Sequence, residues 1–334
     1  MVLYVLGNGF TISFIESLVQ NNYLNDKLID LTNLFSQGDA FSIDKKSNYL
    51  SSESCKVLNK LGVSTKLTDS EARNTINNLV TSFNVYSNWR NSNRGNTNQR
   101  NVNSIYIQAY EELNIYLKRL FIYYNSLVSD EMILHLIKKK EIPLLTQIEE
   151  SINNYNNIKI ITYNYDIFLE RILTLAKIRY NMIGFTYDES INVSIYKPHG
   201  SINYSCKNTN GQGLYERLNI SIDDLQIEKK LKIKDSFSVL VAPFGNAMIN
   251  ITGWTSTIRN AIQNIVISPT DKVVILGHSY GDIDRPEIDN ILIKIPKSTK
   301  VFYINPKPSE TLVYILKVIF DNVIIKKKLS EEII

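Results

Sequence analysis

Val2-Leu3-Tyr4-Val5-Leu6-Gly7-Asn8-Gly9-Phe10-Thr11 is the stretch whose reading decides the fold. Five apolar residues in a row have the length of a buried strand. Two glycines around Asn8 break the run, and from residue 11 to about 20 the apolar spacing turns helical. A strand, a tight turn and a helix follow one another within about 20 residues. Glycines at such a turn let backbone approach a ligand closely. The helix start behind them offers free N–H groups and a positive dipole end to a phosphate. The third glycine of a full dinucleotide fingerprint is missing, so a plain strand-to-helix turn remains open.

Further along, strand candidates recur at 159–163, 238–242, 272–276, 301–304 and 322–325. Helix candidates follow three of them, at 167–176, 285–293 and 310–319. Apolar strands alternating with helices predict an α/β fold: a Rossmann-like parallel sheet with helices on both faces. The rhythm stops between residues 24 and 150. There, 104–127 reads as a long helix with Ile105, Ala109, Leu113, Leu117, Leu120 and Tyr124 inward, and 129–140 as another. Residues 84–103, rich in Asn, Ser and Arg, read as a loop. A mainly helical insertion, 24–150, is therefore expected between the first and second sheet strands. Residues 1–23 and 151–334 would form the sheet domain.

The 334 residues are 44% hydrophobic, which allows a packed core and excludes wholesale disorder. Lys and Arg number 37 against 33 Asp and Glu, interspersed along the chain, so nucleic acid is not an expected partner. The basic runs Lys138-Lys139-Lys140 and Lys326-Lys327-Lys328 suit solvated element ends. Two distant cysteines, Cys55 and Cys206, make neither a disulfide framework nor a four-cysteine zinc site. No apolar run has the length of a membrane span, and a soluble, cytoplasmic protein is expected.

Polar residues gather at the predicted strand ends. Thr162-Tyr163-Asn164-Tyr165-Asp166 puts two side chains at the C-terminal edge of a buried strand, where open parallel sheets bind ligands. Asn164 suits the orientation of a water or a sugar hydroxyl. Asp166 suits either a hydrogen bond to ligand or the cap of the following helix. His199, in Lys197-Pro198-His199-Gly200-Ser201, titrates near neutrality and suits general-base work, or is simply a polar loop residue. Gly277-His278-Ser279-Tyr280-Gly281 matches a nucleophile elbow, but no histidine follows Ser279 to serve as base. The elbow reading fails. What survives is a second glycine turn at a strand end, with Ser279 facing ligand and His278 packing or capping.

In this order the segments resemble the sirtuin family. Gly7-Asn8-Gly9-Phe10-Thr11 is similar to its phosphate loop, and Thr162-Tyr163-Asn164-Tyr165-Asp166 to its Thr-Gln-Asn-x-Asp motif. His199-Gly200 resembles the catalytic His-Gly, and Gly277-His278-Ser279 the Gly-Thr-Ser turn. Ile304-Asn305 resembles the Ile-Asn segment whose Asn holds the adenosine ribose. The resemblance covers residues 1–20 and about 157–320. Two family features are absent: the four-cysteine zinc module and the Gly-x-Pro-Asp-Phe-Arg segment. What remains resembles the divergent sirtuin-like NAD hydrolases of bacterial anti-phage systems, with Pro243 and Trp254 also similar to that group.

That resemblance implies NAD as substrate, with no metal, and hydrolysis to nicotinamide and ADP-ribose. Asn164, His199 and Asp166 would be catalytic. Gly7, Asn8, Gly9, Phe10, Thr11, Tyr163, Gly277, Ser279 and Asn305 would hold the dinucleotide. A non-catalytic NAD or ADP-ribose sensor and, further off, a protein deacylase are the alternatives. An unrestrained NAD hydrolase would kill its own cell, so a homo-oligomer or a separate regulatory partner chain is expected, with the helical insertion as the contact surface.

Overall fold

A computed structural model describes residues 1–41, 48–92, 105–185, 187–208, 215–219, 236–240, 254–265, 269–281 and 285–329. The chain divides into two compact units. The first comprises residues 1–26, 128–198 and 254–334, and the second 27–127 and 199–253.

The first unit is built on β1 (Val2–Leu6), all five positions of which are buried. A strand buried on alternate sides must be covered on both faces, as in a parallel sheet between helices. Its partners are β2 (Ile158–Thr162) on one side and β8 (Lys272–Leu276) on the other, both parallel. The described strands run β10-β9-β8-β1-β2-β4-β3, with β3 (Asn181–Met182), β4 (Val193–Tyr196), β9 (Lys300–Ile304) and β10 (Asn322–Lys326) completing the sheet. Every described pairing in it is parallel. Because the chain builds outward from β1 first to one side and then to the other, the β1–β8 border is the topological switch point. This is the Rossmann-like α/β arrangement expected from the strand rhythm.

Seven described helices belong to this unit: α1 (Asn8–Gln20), α5 (Asp130–Lys138), α6 (Pro143–Asn154), α7 (Phe168–Leu175), α8 (Trp254–Ile265), α9 (Arg285–Leu292) and α10 (Glu310–Ile319). The Tyr4 hydroxyl reaches the Gln147 carbonyl at 3.0 Å and Ser151 Oγ at 2.7 Å, which fastens α6 to β1. Phe14 packs on Phe168 with ring centroids 5.2 Å apart, joining α1 to α7. Arg171 ties α7 to the start of α5 through Asp130 and the Val128 carbonyl.

The second unit carries α2 (Lys56–Lys60), α3 (Asp69–Ser92) and α4 (Ile105–Leu127). It also carries an antiparallel sheet ordered β6-β5-β7, formed by Tyr215–Asn219, Gly200–Asn208 and Ser236–Leu240. Ala109, Leu113, Leu117, Leu120 and Tyr124 are buried along α4. The Glu112 carboxylate accepts both the Val57 and Leu58 N–H at 2.9 Å, holding the start of α2 against α4.

Three sequence expectations need correction. The strand expected at 238–242 does not join the parallel sheet; it is β7, antiparallel to β5. No helix candidate followed it in sequence, and without a crossover a strand cannot return in parallel. Residues 84–92, read as loop, continue α3. Ile105, expected inward, is 41% exposed because it opens the first turn of α4. The helices α2 to α6 do lie between β1 and β2, as expected of the insertion; of these, α5 and α6 group with the sheet unit. Residues 93–104, Pro243 and the tail 330–334 lie outside the described residues.

Candidate functional site

Turns leave the C-terminal ends of the parallel strands, among them those after β1, β2, β4, β8 and β9. The β1 and β8 turns are joined through their backbones. The Gly7 N–H donates to the Leu276 carbonyl and the Gly9 N–H to the Gly277 carbonyl, each at 2.9 Å. Gly277 in turn donates to Ile304 at 2.9 Å, which extends the seam to β9. A Cβ on Gly9 would lie 2.5 Å from Gly277 Cα. One on Gly277, whose φ is +63°, would lie 2.5 Å from Gly9 Cα. These glycines therefore have a reason the sequence did not reveal: each turn is the other's close neighbour, and the Gly9 N–H is already occupied. Asn8 and Ser279 are the exposed side chains of the two turns.

Across the β1–β2 border lies a chain of hydrogen bonds. Thr11, fully buried in the first turns of α1, donates from Oγ1 to Asp166 Oδ2 at 2.7 Å, and Asn164 Nδ2 donates to Thr11 Oγ1 at 2.9 Å. Asp166 Oδ1 accepts the Phe168 N–H at 3.1 Å, so Asp166 serves the start of α7, whose N-cap is Ile167, and binds Thr11 as well. Asn164 is 8% exposed, and its Oδ1 has no hydrogen-bond partner among the described residues. It is the polar atom of this chain left for a ligand.

Beneath Asp166 sits an ion pair that sequence reading missed. Lys197, with no exposed surface, donates from Nζ to the Asp166 carbonyl and to Glu170 Oε1 at 2.8 Å. Glu170 is buried too, and its Oε2 has no partner among the described residues. Burial raises both carboxyls, Asp166 and Glu170, above their ordinary values, while the Lys197 ammonium pulls each back down. A lysine at the end of a strand, 27 residues after a glutamate on a helix, gives no periodic signal. Only their charge in otherwise apolar segments hinted at pairing.

On the other side of the switch point, His278 is buried. Its Nδ1 accepts the Tyr280 N–H at 3.0 Å, and its ring meets Tyr163 edge-on at 5.5 Å between centroids. It packs and caps. The His278 carbonyl accepts from Tyr303 Oη at 3.0 Å and from Asn305 Nδ2 at 2.9 Å. The Asn305 Oδ1 accepts the Lys307 N–H at 2.9 Å. Asn305, expected on a ribose, thus braces the β8 and β9 turns against each other. Phe10 and Tyr163 are buried, 4% and 7% exposed, and contribute packing.

His199 opens the second unit, two residues beyond Lys197, and is 3% exposed. Among the described residues no group of three or more His, Cys, Asp or Glu side chains could hold a metal ion. No described helix is long and apolar enough to cross a membrane. A recess of about 290 Å³ lined by Gln147, Glu150, Ser151, Asn154, Tyr155 and Lys272 opens at the opposite, N-terminal end of the sheet, away from these turns.

Fold and turns together define a class: a Rossmann-like sheet with polar side chains at the C-terminal edge beside its switch point, where such folds bind nucleotides. Within that class, residues 158–311 match the SIR2-like domain family, which supports a sirtuin-like fold and is consistent with an NAD-related function in general. The match contains Asn164, Asp166, Lys197, His199, Gly277 and Asn305, and starts after the Gly7–Thr11 turn. No curated protein matches the chain.

Proposed function

We propose that this protein is an NAD glycohydrolase, cleaving the bond between nicotinamide and ribose to give nicotinamide and ADP-ribose. The observation that carries the reading is Asn164 Oδ1, an acceptor without a partner among the described residues, held at the sheet edge by Thr11 and Asp166. A cationic leaving group departing as neutral nicotinamide leaves an oxocarbenium-like ribose. The group needed there is an acceptor that aims a water's lone pair at the anomeric carbon. Asn164 takes that role. Asp166 sets the Thr11–Asn164 geometry, and its placement beside Asn164 suits the nicotinamide end.

His199 is assigned as general base from its place in the Lys-Pro-His-Gly-Ser segment, taking a proton from water or a ribose hydroxyl. Gly7, Asn8, Gly9, Phe10, Thr11, Gly277, Ser279, Tyr163 and Asn305 shape the dinucleotide's seat, mostly by fixing the two turns. The resemblance to anti-phage hydrolases supports a role as a cytoplasmic NAD-depleting effector. Control would then rest on self-assembly or on a separate partner chain.

The test is NAD consumption by the purified protein, with nicotinamide and ADP-ribose followed by chromatography, beside Asn164→Ala. Loss of NAD in the wild type alone supports the reading. Binding of NAD without turnover in every condition tried would replace it with the sensor.

A further inference from the structure

The Thr11 hydroxyl has one hydrogen and stands between two groups that can each give or take one. With Asp166 ionised, the carboxylate only accepts, so Thr11 donates to it at 2.7 Å and can only accept from Asn164, at 2.9 Å. That fixes the Asn164 amide with Nδ2 inward and Oδ1 outward. Let Asp166 gain a proton. Its Oδ1 is already occupied by the Phe168 N–H, so the proton resides on Oδ2 and is donated to Thr11. The Thr11 hydrogen is then released. Thr11 has no exposed surface on which to find water, and the acceptor within reach is Asn164 Oδ1, brought inward by a half-turn of the amide. Leaving that hydrogen orphaned instead would disfavour the unturned state by about 5-fold to 150-fold in population.

We infer that Thr11 is a positioning residue, a one-hydrogen relay that makes the face Asn164 presents follow the proton on Asp166. With Asp166 ionised the site presents an acceptor, and with Asp166 protonated it presents an NH₂ donor; Asn164 Oδ1 and Nδ2 exchange places and no other heavy atom needs to move. The charged groups set around Asp166 are Lys197, from the segment after β4, and Glu170, from α7, which share one ion pair. From α1 the facing group is neutral Thr11 itself. Burial raises the Asp166 carboxyl above its ordinary value, and the Lys197 ammonium pulls it back down. The consequence for turnover rests on the hydrolase reading: an attacking water needs the acceptor face, so activity rises with pH as Asp166 ionises.

The test needs no substrate. In protein labelled with ¹⁵N at asparagine and ¹³C at aspartate, the Asn164 side-chain amide signals should move between two positions. Their midpoint should be that of the Asp166 carboxyl. Thr11→Ser should keep the coupling, and Thr11→Val should leave Asp166 titrating with Asn164 unmoved. In Asp166→Asn the oxygen must still accept from Phe168, so the new NH₂ faces Thr11, and Asn164 should sit at its low-pH position at every pH. An Asn164 signal in Asp166→Asn at the wild-type high-pH position overturns the relay, as does one that still follows pH in Thr11→Val. In an NAD assay, Thr11→Val should lower kcat by about 10-fold to 100-fold with KM little changed. A wild type that cleaves no NAD would defeat the hydrolase reading while the amide signals still decided the relay.

Discussion

Replacing Lys197 by Met removes a charge while keeping most of its volume, and the structure sets the consequence. Lys197 Nζ lies 2.8 Å from Glu170 Oε1, with the two side chains 0% and 8% exposed. After the substitution the Glu170 carboxylate has lost its counter-charge, and its Oε2 already lacked a partner among the described residues. Breaking a buried pair from one side costs about 3–5 kcal/mol, because the remaining charge stays desolvated. The Asp166 carbonyl loses its donor as well, within the same cost. Removing both charges, in Lys197→Met with Glu170→Leu, replaces the pair by apolar groups and should recover most of the loss.

The pH dependence has a definite sign. Glu170 is already held above its ordinary 4.5 by burial, and loss of Lys197 raises it further. A carboxyl raised on folding contributes stability in full below its unfolded value and loses it as pH rises through the folded value. The deficit relative to wild type should therefore be small near pH 4.5 and complete above the raised folded value. Urea unfolding followed by circular dichroism, wild type beside both variants across pH, measures this; two units make two transitions possible, and the sheet unit's is the one to follow. A single variant within about 1 kcal/mol of wild type at neutral pH, or a double variant no better than the single, would refute the reasoning.

Three other expectations follow from the same geometry. Gly277→Ala forces a side chain into φ +63° and sets its Cβ 2.5 Å from Gly9 backbone, so stability should fall by about 2 kcal/mol or more; an unchanged urea midpoint would show that the turns can part. Burial pushes the Cys55 thiol up to about 12, so iodoacetamide at pH 8 should leave it unmodified in native protein and label it after unfolding, read by peptide mass mapping. Rapid native labelling would contradict that burial. His199→Ala should lower NAD turnover by ~10²–10⁴-fold while NAD affinity is kept, and wild-type turnover would remove His199 from the mechanism.

Much of this was legible in the linear chain because it rests on local patterns. The run Val2–Leu6 ahead of Gly7-Asn8-Gly9, and the apolar strands with helices behind them, report a buried parallel sheet wherever they occur, since a strand covered on both faces must be apolar throughout. For the same reason Asn164 and Asp166 stood out as polar residues at a strand end. What the sequence did not disclose are the pairings across distance. Thr11 and Asp166 are 155 residues apart, Lys197 and Glu170 are 27 apart, and the β1 and β8 turns are joined by backbone atoms common to every residue. The tertiary structure decided that Gly9 and Gly277 are needed for each other, that Asn305 braces a turn, and that β7 leaves the parallel sheet. Hydrogen-bond partners and close backbone approach are set by which strands become neighbours, and that follows from the crossovers of the whole fold, whereas apolar periodicity is written residue by residue.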